Sequence, residues 1–327
     1  MLENEIRIGL FKPLLLARTF EEKKIELAPE IGKVDIGPTS CYGQEAIPVG
    51  FCYGLNKDDF VLPSIRSAWP ADITKGVPVK RIAAEMYGRQ GGYSKGRELS
   101  SHINLPELGL VGGTGVLANH VNVAGGVGLA ARIRKTQQVA VCFLGDGASN
   151  REEFFTGLNF ASLKKLPVIF VVESNLIAEL TPIEKVIPIR NIADRALAFG
   201  MPGEIVDGND VLAVHELARK TVSRARRGEG PTLVECKTCR VRPMSEMKGK
   251  ERGLPPALIE EWKAKDPVKR MTAHVLETGL LKQEEIVRLK EAYQKEVDEA
   301  FQFARQDGYA PREEVFADVY AKGLAVE

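Results

Sequence analysis

The chain has 327 residues, enough to bury a large core and to form one or two domains. Its 45 basic and 44 acidic side chains leave a net charge of +1, without a basic run or aromatic–basic interleaving, which argues against nucleic-acid binding. Residues 1–24 are interrupted by charges and a proline, so they predict neither a signal peptide nor a membrane span. The odd number of five cysteines is typical of a reducing compartment, and we expect a cytoplasmic protein.

The first part of the chain, about residues 1–40, is predicted to be a helical segment, with apolar periodicity over 3–28. Gln44 and Glu45 precede a short helix, where they are either functional or serve as a cap or buried hydrogen-bond pair. Arg66 follows a predicted strand near 58–64. There it could bind a phosphate through two hydrogen bonds or form a surface salt bridge, and its position leaves both open.

The middle of the chain begins with a predicted helix over 77–89, followed by a loop. His102 lies at a polar-to-apolar transition in that loop, where a lone histidine is more often structural than catalytic; His120 is equally open. Residues 109–131 are rich in glycine and alanine. Their glycines allow the backbone to approach a flat ligand, and from Val121 onward the small residues predict a tightly packed helix, in a core or at a subunit interface.

The most informative stretch runs from Val139 to Asn175. Two apolar runs flank an amphipathic helical pattern, which predicts a β-strand, a helix and a second, parallel β-strand. Asp146 and Asn175 follow the two strands, so we expect them to lie close together at the ligand-binding edge of the sheet. Their oxygen atoms suit Mg²⁺, and the backbone amides of Gly147 and Ala148, next to the helix start, suit a phosphate. These residues predict a metal–diphosphate site.

The rest of the chain continues the alternation of strand and helix, with a strand ending at Val206, a helix over 211–226 and a strand over 231–236. The Cys236–Cys239 pair follows without a second pair, so buried thiols are favoured over zinc. Residues 240–256 are predicted to be a mobile loop suited to a lid, and about 256–327 a helical tail. The pattern predicts an α/β fold in three layers, a parallel sheet with helices on both faces, in a single domain over 1–327.

Seven sequence blocks carry a resemblance to a known family. They are, in chain order, GQEA (43–46), SKG (94–96), GDGASN (145–150), LPVIFVVESN (166–175), VDGNDV (206–211), RARRGEGPTLVE (224–235) and DPV (266–268). The chain resembles the alpha subunit of the thiamine-diphosphate-dependent, decarboxylating component of 2-oxo acid dehydrogenases. This resemblance runs from about Arg18 to Met271. It implies the thiamine-diphosphate-binding fold and an enzyme that decarboxylates a pyruvate-like 2-oxo acid and transfers the acyl unit.

The resemblance also implies roles for individual residues and for partners. It makes Asp146, Asn175 and the carbonyl of Ile177 ligands of Mg²⁺. It places Gly147, Ala148 and Arg66 on the diphosphate, and the backbone of Gly115 and Leu117 on the aminopyrimidine ring. His102 corresponds to a histidine of the active-site channel. A separate beta subunit is expected to supply the glutamate that activates the cofactor, in an alpha2–beta2 heterotetramer, with a lipoyl-bearing acyltransferase or another carrier as acceptor.

Two blocks depart from the family pattern. The family's Tyr-Arg-x-His-Gly block corresponds to residues 65–69, where Ala68 replaces the histidine. In the second block, Met244 replaces a loop histidine of the family and follows Pro243. Ser174 replaces an asparagine beside Asn175.

Three hypotheses follow: a dehydrogenase component that acylates lipoyl, a transketolase-like transferase of two-carbon ketol or acyl units to another acceptor, and a non-catalytic alpha-like subunit. The Asp146–Asn175 pair argues against the third.

Overall fold

The structure is a computed structural model, and it describes residues 2–34, 39–98, 102–113, 115–243 and 254–317. At its centre is a parallel sheet of five strands in the order β1-β2-β3-β7-β6. The strands are β1 (Phe60–Leu62), β2 (Ala140–Gly145), β3 (Val168–Ser174), β6 (Gly203–Asp207) and β7 (Thr232–Lys237), and a two-stranded hairpin is formed by β4 (Ile177–Ala178) and β5 (Thr181–Pro182). The predicted parallel sheet is confirmed.

Helices form the outer layers. They are α1 (Asn4–Glu26), α2 (Ala28–Ile31), α3 (Ala46–Cys52), α4 (Ala68–Thr74), α5 (Val79–Met86), α6 (Asn119–Ile133), α7 (Glu152–Leu163), α8 (Val211–Arg226), α9 (Pro256–Ala264), α10 (Pro267–Glu277) and α11 (Gln283–Gln306). Short 3-10 turns cover Pro106–Leu108, Gly147–Asn150, Ile183–Lys185, Ile192–Phe199 and Arg312–Phe316. None of the helices in the described ranges is both long and apolar enough to cross a bilayer.

The two faces of the sheet bury separate apolar clusters, as a three-layer α/β fold requires. Alternate residues of β2, such as Val141 and Phe143, pack with α1, α3, α5, α8 and α11. The intervening residues, such as Cys142 and Leu144, pack with α6 and α7 on the opposite face. Because successive side chains of a strand point to opposite faces, a strand covered on both sides reads as a continuous apolar run. That is why β2 and β3 are conspicuous in the sequence.

The predicted helical segments at both ends of the chain pack on the core. Helix α11 lies against α5 and α1, where Phe301 stacks on Phe20 with ring centroids 5.2 Å apart. Helix α1 has 23 residues and continues through Pro13, although a proline inside a helix usually kinks or ends it. Helix α4 was not expected: Ala68 and Trp69 are buried in its first turn rather than lying in a loop.

Candidate functional site

Asp146 and Asn175 lie side by side at the carboxyl ends of β2 and β3. Gly145 is the register partner of Glu173, so the residues that follow these two strands leave the sheet together. The backbone N–H of Asn175 donates to Oδ2 of Asp146 at 2.9 Å. Both side chains are buried, with 2% and 5% of their surface exposed. The structure therefore brings together the two residues that the strand ends were expected to bring together.

The Asp146 carboxylate holds the turns after both strands. Its Oδ1 accepts the backbone N–H of Gly147 at 2.8 Å, and the N–H of Leu176 also bonds to this carboxylate. Burial raises the pKa of Asp146, and these N–H groups oppose that shift by stabilising the anion. The predicted helix, α7, begins at Glu152, and a 3-10 turn over Gly147–Asn150 separates it from β2. An aspartate side chain that caps its own turn explains both the turn and the engaged Gly147 amide.

Asn175 presents a free oxygen in this buried setting. Its Nδ2 donates to Oε1 of Gln44 at 3.1 Å, and its Oδ1 has no hydrogen-bond partner. Buried polar atoms are nearly always paired, so an orphan acceptor beside a carboxylate indicates a missing ligand. Carboxylate, amide and carbonyl oxygens are the ligands that Mg²⁺ prefers. The side chains of Asp146 and Asn175 therefore fit a hard cation.

The third predicted ligand, Ile177, begins the hairpin strand β4 two residues after Asn175. Its side chain is buried, and Leu176 before it has a positive φ of 73°, which turns the chain sharply at this point. Within the described ranges no group of three or more His, Cys, Asp and Glu side chains could hold a metal. A cation here would therefore depend on one carboxylate together with amide and backbone oxygens.

The turn after β2 is packed tightly against this hairpin. A Cβ added at Gly147 would lie 2.8 Å from the Cβ of Ala178 and 3.3 Å from its Cα, whereas one added at Gly145 would meet no atom within 4 Å. Ala148 is buried, with 7% of its surface exposed. Only a glycine at 147 lets β4 approach the Asp146 turn this closely, which keeps Ile177 near the carboxylate.

Arg66 supplies positive charge at the same sheet edge. Its guanidinium donates to the backbone carbonyl of Ser40, and its charge opposes the rise in the pKa of both Asp146 and Glu173. Burial raises the pKa of Glu173 to about 7, although a hydrogen bond from Ser64 also opposes this. Sequence reasoning missed Glu173 and Ser64. The available signal was a carboxylate at the end of an otherwise apolar strand.

His102, Gly115 and Leu117 lie on a separate loop beside β1. The loop is joined to the sheet by the backbone pairing of Val61 with Leu110. The His102 carbonyl accepts a hydrogen bond from Asn104 Nδ2, and the His102 side chain is half-buried. Gly115 is exposed, and Leu117 has 55% of its surface exposed. The structure thus groups Arg66 and the two strand ends around one carboxylate, and leaves these three residues on a neighbouring, open loop.

The segment after β7 reaches the site from the other side. The backbone N–H of Arg240 donates to the Asn175 carbonyl at 3.1 Å, and Arg240, Arg242 and Pro243 line a small cavity of about 110 Å³ together with Ile177. Residues that depart from the family pattern therefore lie beside predicted ligands. Residues 244–253, which include Met244 and most of the predicted lid, lie outside the described residues.

Other sequence candidates have structural roles. His120 is buried, its Nε2 is 2.6 Å from the Phe143 carbonyl, and burial lowers its pKa. Cys236 and Cys239 are buried free thiols. A cavity of about 710 Å³ opens near Asn56 and Arg226, and none of the predicted site residues lines it. The Asp146 turn is the candidate site because an unpaired amide oxygen lies beside a buried carboxylate there, at the ends of two neighbouring strands.

The fold is a three-layer α/β fold, and oxygen atoms of Asp146 and Asn175 lie together at the carboxyl edge of its parallel sheet. Comparison with known proteins is more specific, since the dehydrogenase E1 component family matches residues 15–313. The chain belongs to this family, whose members are thiamine-diphosphate-dependent 2-oxo acid dehydrogenases.

Three relatives show how broad the similarity is. The alpha subunit of an acetoin:2,6-dichlorophenolindophenol oxidoreductase from Bacillus subtilis is 34% identical, covering 98% of this chain and 95% of the relative. The alpha subunit of a 2-oxoisovalerate dehydrogenase from the same organism is 34% identical, over 98% of this chain and 97% of its own. A chloroplastic pyruvate dehydrogenase E1 alpha subunit from Oryza sativa is also 34% identical, over 99% and 78%. Equal identity to three named activities does not select one substrate.

Proposed function

We propose that this chain is the cofactor-anchoring alpha subunit of an enzyme that decarboxylates a pyruvate-like 2-oxo acid and transfers the acyl unit. The observation that carries the proposal is the buried pair at the strand ends. Asp146 bonds to the backbone of Asn175, and the Asn175 Oδ1 is left without a partner. A structural asparagine would have satisfied both ends of its amide, whereas a metal ligand needs one oxygen free.

The residues have distinct roles in this proposal. Asp146, Asn175 and the Ile177 carbonyl hold Mg²⁺, and Arg66 with the turn at Gly147 and Ala148 faces the diphosphate. When bound, thiamine diphosphate supplies the electron sink for loss of carbon dioxide from a 2-oxo acid. The protein supplies position and charge: the guanidinium of Arg66 offsets the negative charge that the diphosphate brings next to two buried carboxylates.

A beta subunit completes the site in this proposal. The backbone of Gly115 and Leu117 faces the aminopyrimidine ring, His102 lines the channel, and a glutamate of the beta subunit activates the ring, in an alpha2–beta2 heterotetramer. Two observations support a partner at this edge. The named relatives are alpha subunits, and Val116 and Leu117 each expose 55% of their surface beside the site. A cluster of exposed apolar side chains is typical of a protein interface.

A second candidate function is transfer of a two-carbon ketol or acyl unit to an acceptor other than lipoyl. The observation that favours it is the fate of the block at 65–69: Ala68 and Trp69 are buried in α4, with 0% and 1% of their surface exposed, where the resemblance implies a histidine near the substrate. A buried alanine neither donates nor accepts a proton. Under this proposal the cofactor site is unchanged and the acceptor differs.

Reconstitution separates these functions. The chain is assembled with its beta subunit, thiamine diphosphate and Mg²⁺, and given pyruvate with either a lipoyl domain or an aldehyde acceptor. Acylated lipoyl domain supports the dehydrogenase component, and a new carbon–carbon bond without lipoyl supports the transferase. Asp146→Ala should remove both activities. An assembled complex that does not bind thiamine diphosphate would contradict both and leave the non-catalytic subunit.

A further inference from the structure

Gln44 joins the start of α3 to the end of β3 through one buried hydrogen bond. It lies 131 positions before Asn175 in the chain, and its Oε1 accepts the Asn175 Nδ2 at 3.1 Å. The Gln44 side chain has no exposed surface. Two atoms of this amide pair lack partners, the Asn175 Oδ1 and the Gln44 Nε2.

The two ends of a carboxamide have the same shape and opposite chemistry. Rotating the Asn175 amide by a half turn would replace its free oxygen with an NH2 group, which repels a cation. With the Gln44 Oε1 turned toward Asn175, only the NH2 end of the Asn175 amide can form a hydrogen bond to it. We propose that Gln44 is a positioning residue for Asn175: by accepting the Nδ2 hydrogen, it presents Oδ1 as a cation ligand. This inference rests on the proposed function.

The backbone around Gln44 is well held. Its N–H donates to the Cys41 carbonyl at 2.9 Å, and its carbonyl accepts the N–H of Ile47 at 3.2 Å. The next residue, Glu45, forms a two-point ion pair with Arg18, with N–O distances of 2.6 and 3.0 Å. These contacts fix the backbone from which the Gln44 side chain extends, and the side chain reaches Asn175 without exposed surface.

The two unpaired atoms of the amide pair have opposite chemistry. In the observed arrangement the pair offers one free acceptor, on Asn175, and one free donor, on Gln44. If both amides rotated, the hydrogen bond would be remade in the reverse sense, and the free donor would lie on Asn175, next to Asp146. The hydrogen bond to Gln44 and a cation beside Asp146 both favour the observed arrangement, so removing Gln44 should weaken cation binding.

The test measures cation binding rather than turnover. The chain is assembled with its beta subunit and thiamine diphosphate, and Mn²⁺ is titrated in place of Mg²⁺ while the signal of free Mn²⁺ is followed by electron paramagnetic resonance. Gln44→Met keeps the length of the side chain and removes the acceptor. We expect Mn²⁺ to bind about tenfold more weakly, which corresponds to the loss of one hydrogen bond.

A second background makes the test specific. In Asn175→Asp both side-chain ends are oxygen atoms, so no orientation is required, and adding Gln44→Met should not weaken Mn²⁺ further. Equal weakening in both backgrounds would show a packing role and overturn the inference, as would unchanged Mn²⁺ affinity in Gln44→Met alone.

Further measurements cover the cases in which these variants fail. If Gln44→Met does not fold, Gln44→Glu retains the acceptor and allows Asn175 only to donate. Its Mn²⁺ affinity should then equal or exceed that of the unaltered chain, and weaker binding would overturn the inference. If the unaltered complex binds no Mn²⁺, the proposed function fails; if it binds Mn²⁺ and Gln44→Met binds it equally well, only the inference fails.

Discussion

Replacing Gly147 by alanine tests whether close packing of the hairpin β4–β5 shapes the candidate site. The new Cβ would lie 2.8 Å from the Cβ of Ala178 and 3.3 Å from its Cα. Because Ala178 contributes part of this contact through its backbone, no side-chain rotation can relieve it. The hairpin must move away from the Asp146 turn and take Ile177 with it.

The size of the effect follows from these distances. Carbon atoms in ordinary contact are about 3.5–4.0 Å apart, so the two segments must separate by roughly 1 Å. Overpacking of this kind typically costs about 1–3 kcal/mol. For a chain of this size that loss corresponds to a fall in melting temperature on the order of 1–5 °C.

Gly145→Ala is a matched control two residues away. Its Cβ would meet no atom within 4 Å, so its stability should stay within about 0.5 kcal/mol of the unaltered chain. Both variants are unfolded thermally and in urea without cofactor. If Gly147→Ala is as stable as Gly145→Ala, the close approach of β4 to the Asp146 turn is refuted.

Two further predictions concern buried charge away from the strand ends. Glu45→Ala removes the two-point partner of the buried guanidinium of Arg18, which keeps its ion pair with Asp266, and should lower the free energy of unfolding in urea by about 1.5–3 kcal/mol. Glu26→Ala, which removes an exposed partner of Lys23, should cost less than about 1 kcal/mol, and similar losses would contradict the account. Asp72 is buried with both carboxyl oxygens unpaired, and burial raises its pKa. Such a carboxyl stabilises the folded state below its unfolded pKa of about 3.9, and this contribution is lost as pH rises toward the folded pKa. Asp72→Asn should therefore gain stability relative to the unaltered chain as pH rises above about 4, and a difference that stays constant with pH would contradict this.

The parts of the fold that were predictable from the sequence are those set by local pattern. The helix Val211–Arg226 has its predicted bounds because Asp210 caps its start through the N–H groups of Leu212 and Ala213. The strands β2 and β3 were recognisable because both their faces are covered. The meeting of Asp146 and Asn175 followed from the rule that parallel neighbours end at one edge.

Contacts between distant parts of the chain could not be read in this way. The bond between Gln44 and Asn175 joins positions 131 residues apart, and nothing local to either distinguishes it from a cap. The burial of Trp69 in α4 also depends on distant segments, because Trp69 belongs to the same core cluster as Phe20 and Val141. The hydrogen bond from the Gly147 N–H to the Asp146 carboxylate depends on the conformation of the Asp146 side chain, which no sequence pattern predicts.

The most direct test of the central claim is the binding of thiamine diphosphate itself. The chain assembled with its beta subunit is titrated calorimetrically with thiamine diphosphate, with Mg²⁺ present and after chelation, for the unaltered protein and for Asp146→Ala. Binding that requires Mg²⁺ and disappears in Asp146→Ala is the predicted result. Binding that survives chelation, or an Asp146→Ala variant with unaltered affinity, would contradict the assignment of the cofactor site to the ends of β2 and β3.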